Sequence, residues 1–301
     1  MKAKNSMHRR DFSRLLAGAA LGSAVLPALP LLATASEPAV PFRFSVMLWT
    51  IYRKLPFDQR LEKVAEAGYH AVELVNEYEK WSPEEFRLAS AKLRSLGIVV
   101  DAMAGVWTGI ANPQAQEKFL ADLTRLLPIA EQLECPGIIV LSGDRVEGLS
   151  REAHHQSCIE SLKRAAEIAD KRNLTLLLEN IDPEENPKYY LTSVAEGFEI
   201  IRQVNHPRVK FLYDFYHEQI SEGNLIEKLE KNIAQVGLLH VADVPGRHEP
   251  GTGEINYGNI YRKLAHLSYR GYVAMEFEPA GDPVVSLRTA REEAIRASRG
   301  T

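Results

Sequence analysis

Residues 237–257 read GLLHVADVPGRHEPGTGEINY. The segment opens on a short apolar run, Leu238 to Ala242, with His240 inside it, and such a run reads as a buried strand. A loop starts at Asp243 and carries Arg247, His248, Glu249 and Glu254 among Pro245, Gly246, Pro250, Gly251 and Gly253. A strand that ends in polar chemistry, followed by a Pro/Gly-stiffened loop, is where an α/β barrel keeps its active site. Taken alone, His240 reads as an ordinary core histidine, because intermediate burial is ordinary for His. The flanking chain reverses that reading.

Working outward, the same unit recurs. Apolar strands are predicted at Arg43–Trp49, His70–Val75, Ile98–Met103, Gly137–Leu141, Leu174–Glu179, Val209–Asp214 and Tyr272–Phe277. Helices fall between them. Phe57, Leu61, Val64 and Ala65 form a helical stripe that stops at Gly68. Ser82-Pro83-Glu84-Glu85 holds a cap, a proline preset for the first turn and a capping-box glutamate, and that helix ends at Gly97. Further helices are predicted from Gln114 to Gln132, from Ser150 to Ala169, from Thr192 through Ile201, along Leu225-Ile226-Leu229-Ile233, near Ile260 to Leu267, and from Asp282-Pro283 to Ser298. Eight strands, each followed by a helix and starting about 27 to 39 residues apart, are eight βα units. No G-x-G-x-x-G follows the first strand, as a doubly wound nucleotide fold would want. The predicted fold is α/β, a single (β/α)8 TIM barrel over residues 36–301.

Composition agrees. At 301 residues, 45% hydrophobic and 25% charged, the chain is long enough for one large α/β domain. The formal net charge is -4. The first 35 residues carry Lys2, Lys4, Arg9, Arg10 and Arg14 against Asp11, so the remainder is more acidic still. An acidic body lacks the electrostatic footprint of a nucleic-acid binder. Cys135 and Cys158 are too few for a disulfide framework or a metal knuckle.

Residues 1–35 read as an export signal. Arg9-Arg10-Asp11-Phe12 precedes an apolar run from Leu15 to Ala33, and Ala33-Thr34-Ala35 fits a small-residue cleavage site before Ser36. The arginine pair followed by Phe12 resembles the twin-arginine type, although His8 departs from the usual pattern. Gly18, Gly22, Pro27 and Pro30 interrupt the run and argue against a membrane anchor. The expected mature product is periplasmic or secreted, not stably inserted in a membrane, and has met the twin-arginine machinery. That route exports folded proteins and suits a body that takes up a metal before leaving the cytoplasm.

The last four strands each end near a metal-competent side chain: Glu179, Asp214, His240 and Glu276. A barrel gathers these ends on one rim. Three buried carboxylates need positive charge among them. Oxygen-rich ligands with one nitrogen suit one divalent ion such as Mg²⁺, Mn²⁺ or Co²⁺, with Zn²⁺ also accommodated. Around this set, His217 is placed to hydrogen-bond a substrate oxygen or to face solvent. Arg247 is placed to grip an anionic or polyhydroxy substrate. Glu185, in the loop after the fifth strand, either touches substrate or is solvated as loop glutamates usually are, and Trp49 and Trp107 near the ends of strands one and three either wall the pocket or pack in the core. Gly251-Thr252-Gly253 is too short a signal for phosphate. His154-His155 reads as helix surface.

At these residues the chain resembles the xylose-isomerase-like TIM-barrel superfamily of sugar isomerases and epimerases, and within it the hydroxypyruvate isomerase family. The resemblance covers about residues 42–280 and is sharpest in LLLENID (176–182), LYDFYHEQ (212–219), HVADVPGRHEPGTGEINY (240–257) and GYVAMEFEP (271–279). It implies that Glu179, Asp214, His240 and Glu276 bind one divalent metal. It implies too that Glu179 and Glu276 act as acid and base on opposite sides of the substrate, with His217 and Arg247 contacting it. Three features depart from the family: Asn180 stands where proline often follows the glutamate, strand four ends Leu141-Ser142-Gly143 where asparagine is more usual, and the export signal is unexpected for an enzyme of a cytoplasmic metabolite. The expected activity is isomerisation or epimerisation of a small α-hydroxycarbonyl or sugar through an enediolate. Rival readings are a metal-dependent dehydratase or lyase acting on a cyclic polyol, and a periplasmic sugar-binding barrel without turnover. A homo-oligomer is compatible with either.

Overall fold

The computed structural model describes residues 40–300. The elements run β1 Arg43–Met47, α1 Phe57–Glu66, β2 Ala71–Leu74, α2 Pro83–Leu96, β3 Val99–Val106, α3 Gln116–Gln132, β4 Gly137–Leu141, α4 Arg151–Asp170 and β5 Thr175–Glu179. They continue α5 Val194–Val204, β6 Val209–Asp214, α6 Phe215–Ser221, α7 Leu225–Asn232, β7 Val236–Val241, α8 Tyr257–His266, β8 Tyr272–Met275 and α9 Pro283–Ser298. The strands form a closed barrel in sequence order, sealed where β1 pairs with β8 through Arg43↔Tyr272 to Val46↔Met275. Every pairing is parallel. Parallel strands buried on both faces need continuous apolar runs, which is what the sequence supplies.

Two apolar layers result. Inside the barrel a small cluster packs Met47, Ala102, Ala104, Ile139, Leu177, Leu212, Leu238 and Ala274. A much larger layer fills the space between the sheet and the helices. The helix ends follow local chemistry. Ser82 accepts from Glu85 N at 3.3 Å while its own N–H donates to the Glu85 carboxylate at 2.6 Å, closing the predicted capping box. Gly97 then ends α2 in the left-handed conformation that glycine adopts without strain.

Register fixes the rim. Leu141 pairs with Glu179, Asp214 with His240, and Val241 with Met275, one residue before Glu276. The four strand-end residues therefore emerge side by side at the C-terminal face.

Three expectations are corrected. The helix after β5 is capped by Ser193, whose hydroxyl accepts from Glu196 N, and not by Thr192. A short extra helix, α6, follows β6 directly and starts on Asp214, whose side chain accepts from Tyr216 N and His217 N. His154 and His155 are buried, not on the surface. α4 lies under the β4–α4 loop and beside α5, so His154 accepts from Val146 N at 2.8 Å and stacks on Tyr190, while His155 meets Glu196 at 3.2 Å. As expected, Trp49 and Trp107 lie near the ends of strands one and three, just past β1, which ends at Met47, and β3, which runs on to Val106. Cys135 and Cys158 are both buried and free. The expected export signal, with Arg9, Arg10 and the expected cleavage site at Ala35, lies outside the described residues. Among the described residues no helix is long and apolar enough to cross a membrane.

Candidate metal centre

Glu179, Asp214, His240 and Glu276 each present one donor atom, and these atoms lie within 4.8 Å of one another. All four side chains are buried. His240 Nδ1 stands 2.7 Å from Glu276 Oε2, 3.5 Å from Glu179 Oε1 and 3.9 Å from Asp214 Oδ2. The shortest of these contacts lacks hydrogen-bond geometry, and both His240 Nδ1 and Glu276 Oε2 are buried without a hydrogen-bond partner.

The remaining atoms of the same side chains are tied back. Asp214 Oδ1 accepts from Tyr216 N at 2.6 Å and His217 N at 3.1 Å. Glu276 Oε1 accepts from the Trp49 indole at 2.8 Å and lies 3.1 Å from the Arg247 guanidinium. His240 Nε2 sits 2.9 Å from Glu73 on β2. Asp214, His240 and Glu276 thus each spend one side of the polar group on support and turn the other inward.

That arrangement fits a divalent ion. Ligand atoms about 2.1 Å from a small cation are separated by roughly 3 to 4 Å, close to the spacing found here. Buried orphaned donors are rare, and three oxygens with one nitrogen form a set for a hard or borderline ion.

Substrate-facing candidates surround the cluster. His217, at the start of α6, is held by Asp182, whose Oδ2 lies 2.7 Å from His217 Nδ1. Asp182 is itself fixed by Glu184 N and Glu185 N, both at 2.8 Å. Glu185 reaches Arg247 Nη1 at 2.6 Å, so this loop glutamate is paired and not merely solvated. The Arg247 guanidinium lies over the rings of Trp49 and Tyr216, at 5.2 and 4.9 Å from their centres. Trp107 is the outlier: half exposed, it turns its indole N–H to Glu79 at 3.1 Å and shares no hydrogen bond with the cluster among the described residues.

The loop of residues 243–257 exists to place Arg247. Buried Asp243 ties it by accepting from Val244 N, Gly251 N and Ile255 N at 2.8–3.0 Å. Arg247 itself takes a positive φ of 55°, and its carbonyl accepts from Glu278 N at 2.7 Å. At Gly253 a Cβ would come within 2.1 Å of the Val244 carbonyl oxygen, so only glycine fits.

Charge balance follows the geometry. Burial would raise Glu276, but Arg247 and His240 hold it well below the ordinary carboxylate range. Asp214, with less help, is raised by burial. Burial opposes a charge on His217, yet Asp214 and Asp182 outweigh it and lift the imidazole to about 9.

Glu73, Asp182 and Asp243 escaped the sequence reading. Glu73 had a signal: it is the one charged side chain inside the run AVEL of β2.

A closed eight-stranded parallel barrel whose C-terminal rim gathers three carboxylates and an imidazole defines a class of barrel built to act on a small polar molecule at that rim. The chain belongs to the xylose isomerase-like TIM barrel family, whose sequence model matches residues 61–299. It is 33% identical over 253 residues to the hydroxypyruvate isomerase of Escherichia coli, covering 82% of this chain and 97% of that protein. It is 32% identical over 251 residues to the 2-oxo-tetronate isomerase of Haemophilus influenzae, covering 81% and 96%. Among solved structures it resembles a family 2 AP endonuclease from Brucella melitensis, with a TM-score of 0.77, 28% identity, and 83% and 98% of the two chains covered.

Proposed function

We propose that this chain is a divalent-metal-dependent isomerase or epimerase of small hydroxylated 2-oxo acids or sugars, working through an enediolate. The convergence of Glu179, Asp214, His240 and Glu276 about one point carries the reading. The relatives matched over nearly their whole length are isomerases of small oxo acids, which supports the reaction class. Glu179, Asp214, His240 and Glu276 would hold the ion. When bound, it supplies the positive charge that a developing enediolate needs.

The residues do the rest. Arg247, held over two aromatic faces beside Glu276, is placed to receive a carboxylate or hydroxyl of the substrate. His217, kept charged by Asp182 and Asp214, donates a hydrogen bond to a substrate oxygen. Glu276 is kept ionised and so is ready to take a proton from the carbon that bears the hydroxyl. Glu179, on a neighbouring part of the rim, faces the same space. The abstracted proton returns at the adjacent carbonyl carbon, and a hydroxyl proton passes to the former carbonyl oxygen. Return to the same carbon from the opposite face gives epimerisation instead.

Residues 1–35 complete the proposal: they direct export through the twin-arginine machinery, and the mature barrel acts in the periplasm or outside the cell. A sugar-binding barrel without turnover and a polyol dehydratase are the alternatives that experiment separates. Glu179→Gln and Glu276→Gln keep shape but remove the base, and one proton-transfer group contributes about 10²–10⁴-fold in rate. Each variant is expected to lose turnover of hydroxypyruvate or 2-oxo-tetronate by that factor while its circular dichroism is unchanged. Near-wild-type turnover in either variant would overturn the two-glutamate mechanism.

A further inference from the structure

The outer support of His240 comes from the opposite half of the barrel. Glu73 lies on β2, wholly buried, with Oε2 2.9 Å from His240 Nε2 on β7. Its other oxygen, Oε1, has no hydrogen-bond partner. A carboxylate facing an imidazole at this distance is an acceptor, so the proton between them belongs to Nε2. A neutral imidazole carries only one N–H, and the lone pair is then left on Nδ1. Nδ1 is the nitrogen that faces Glu276, Glu179 and Asp214 and has no hydrogen-bond partner of its own.

We propose that Glu73 is a positioning residue for the metal: it fixes His240 as the Nε2–H tautomer and so makes Nδ1 the ligand nitrogen. This rests on the metal reading above and adds a residue to it. Without the carboxylate, the ring is free to carry its proton on Nδ1, which aims a hydrogen at the ion's place, or to turn away. Partners of this kind orient metal-binding histidines, and their loss typically weakens metal affinity about 10–100-fold. The burial of Glu73 has no other evident return. A lone carboxylate among the apolar residues of β2 is costly, and His240 is the cation-capable group it meets.

The test uses the full chain stripped of metal by a chelator, with Mn²⁺ binding followed by the electron paramagnetic resonance signal of the free ion. Glu73→Met matches the volume without the acceptor; Glu73→Gln keeps an acceptor. Mn²⁺ is expected to bind Glu73→Met about 10–100-fold more weakly than wild type, with Glu73→Gln recovering most of the loss. A residue needed only for packing would lower the melting temperature and leave the Mn²⁺ affinity alone. In parallel, ¹⁵N-histidine spectra of the Mg²⁺-loaded wild type are expected to place the His240 proton on Nε2. Unchanged Mn²⁺ affinity in Glu73→Met, or a proton on Nδ1, overturns the assignment of Glu73 while leaving the metal centre standing. A wild type that binds no Mn²⁺ or Mg²⁺ overturns both. The ¹⁵N spectrum needs no variant, so the proposal remains refutable even where Glu73→Met fails to fold.

Discussion

Removing the Asp243 carboxylate should both loosen the fold and cost activity. Its Oδ1 accepts from Val244 N at 2.9 Å and Ile255 N at 3.0 Å, and its Oδ2 from Gly251 N at 2.8 Å. The side chain is fully buried, so water does not readily replace it. In Asp243→Asn the amide oxygen keeps the first two donors and the NH₂ group opposes the third. One orphaned donor costs about 1–3 kcal/mol. Asp243→Ala orphans all three, for roughly 3–6 kcal/mol in total after allowing for partial solvation of the loop. At about 2–4 °C per kcal/mol for a domain of this size, the alanine variant should melt roughly 10 °C or more below wild type, and the asparagine variant a few degrees below. The same loop sets Arg247 beside Glu276, so turnover should fall in both variants, more in alanine. Differential scanning calorimetry with steady-state kinetics reads both effects. An Asp243→Ala protein that melts within about 2 °C of wild type would refute the claim that this carboxylate organises the loop.

Two further predictions concern other parts of the chain. Burial raises Glu218 on α6 to about 7 although Lys228 pairs with it. A carboxyl raised in the folded state favours folding below its unfolded pKa near 4.5 and loses that contribution as pH rises through about 7, at most about 3 kcal/mol. Relative to wild type, Glu218→Gln should therefore gain stability in urea unfolding on going from about pH 5 to about pH 8; a difference that does not change with pH would contradict this. For the export proposal, replacing Arg9 and Arg10 together by lysine should leave the precursor inside the cell, as read by fractionation, and undiminished export would remove the twin-arginine assignment.

Much of the barrel is legible because parallel strands covered on both faces leave apolar runs, and each helix between them carries a stripe or a cap. The four rim residues stand out for the same reason: a carboxylate or histidine closing an apolar run is conspicuous. What stays hidden is what depends on distant chain. Glu73 and His240 are 167 positions apart and meet only because β2 and β7 share one barrel interior. Asp182 finds His217 across 35 positions, through a loop whose path no local pattern fixes. The seven residues of α6 are too few to show a helical period, and the signal for that helix is the Asp214 cap, already read as a strand end. His154 and His155 look like surface because polar residues on a long helix usually are; only the neighbouring loop and α5 bury them. Trp107 sits just past a strand as expected, but β3 runs longer than its apolar run indicates and delivers the ring to Glu79.

The central claim is that this rim removes a proton beside a carbonyl with the help of a divalent ion. Proton NMR in D₂O tests it most directly, with Mg²⁺-loaded protein and hydroxypyruvate or 2-oxo-tetronate. Solvent deuterium should enter the carbon next to the carbonyl well above the protein-free rate, even where net conversion is slow. The incorporation should stop on adding chelator and in Glu276→Gln. Folded, metal-loaded protein that binds these compounds yet never exchanges their protons would contradict the account.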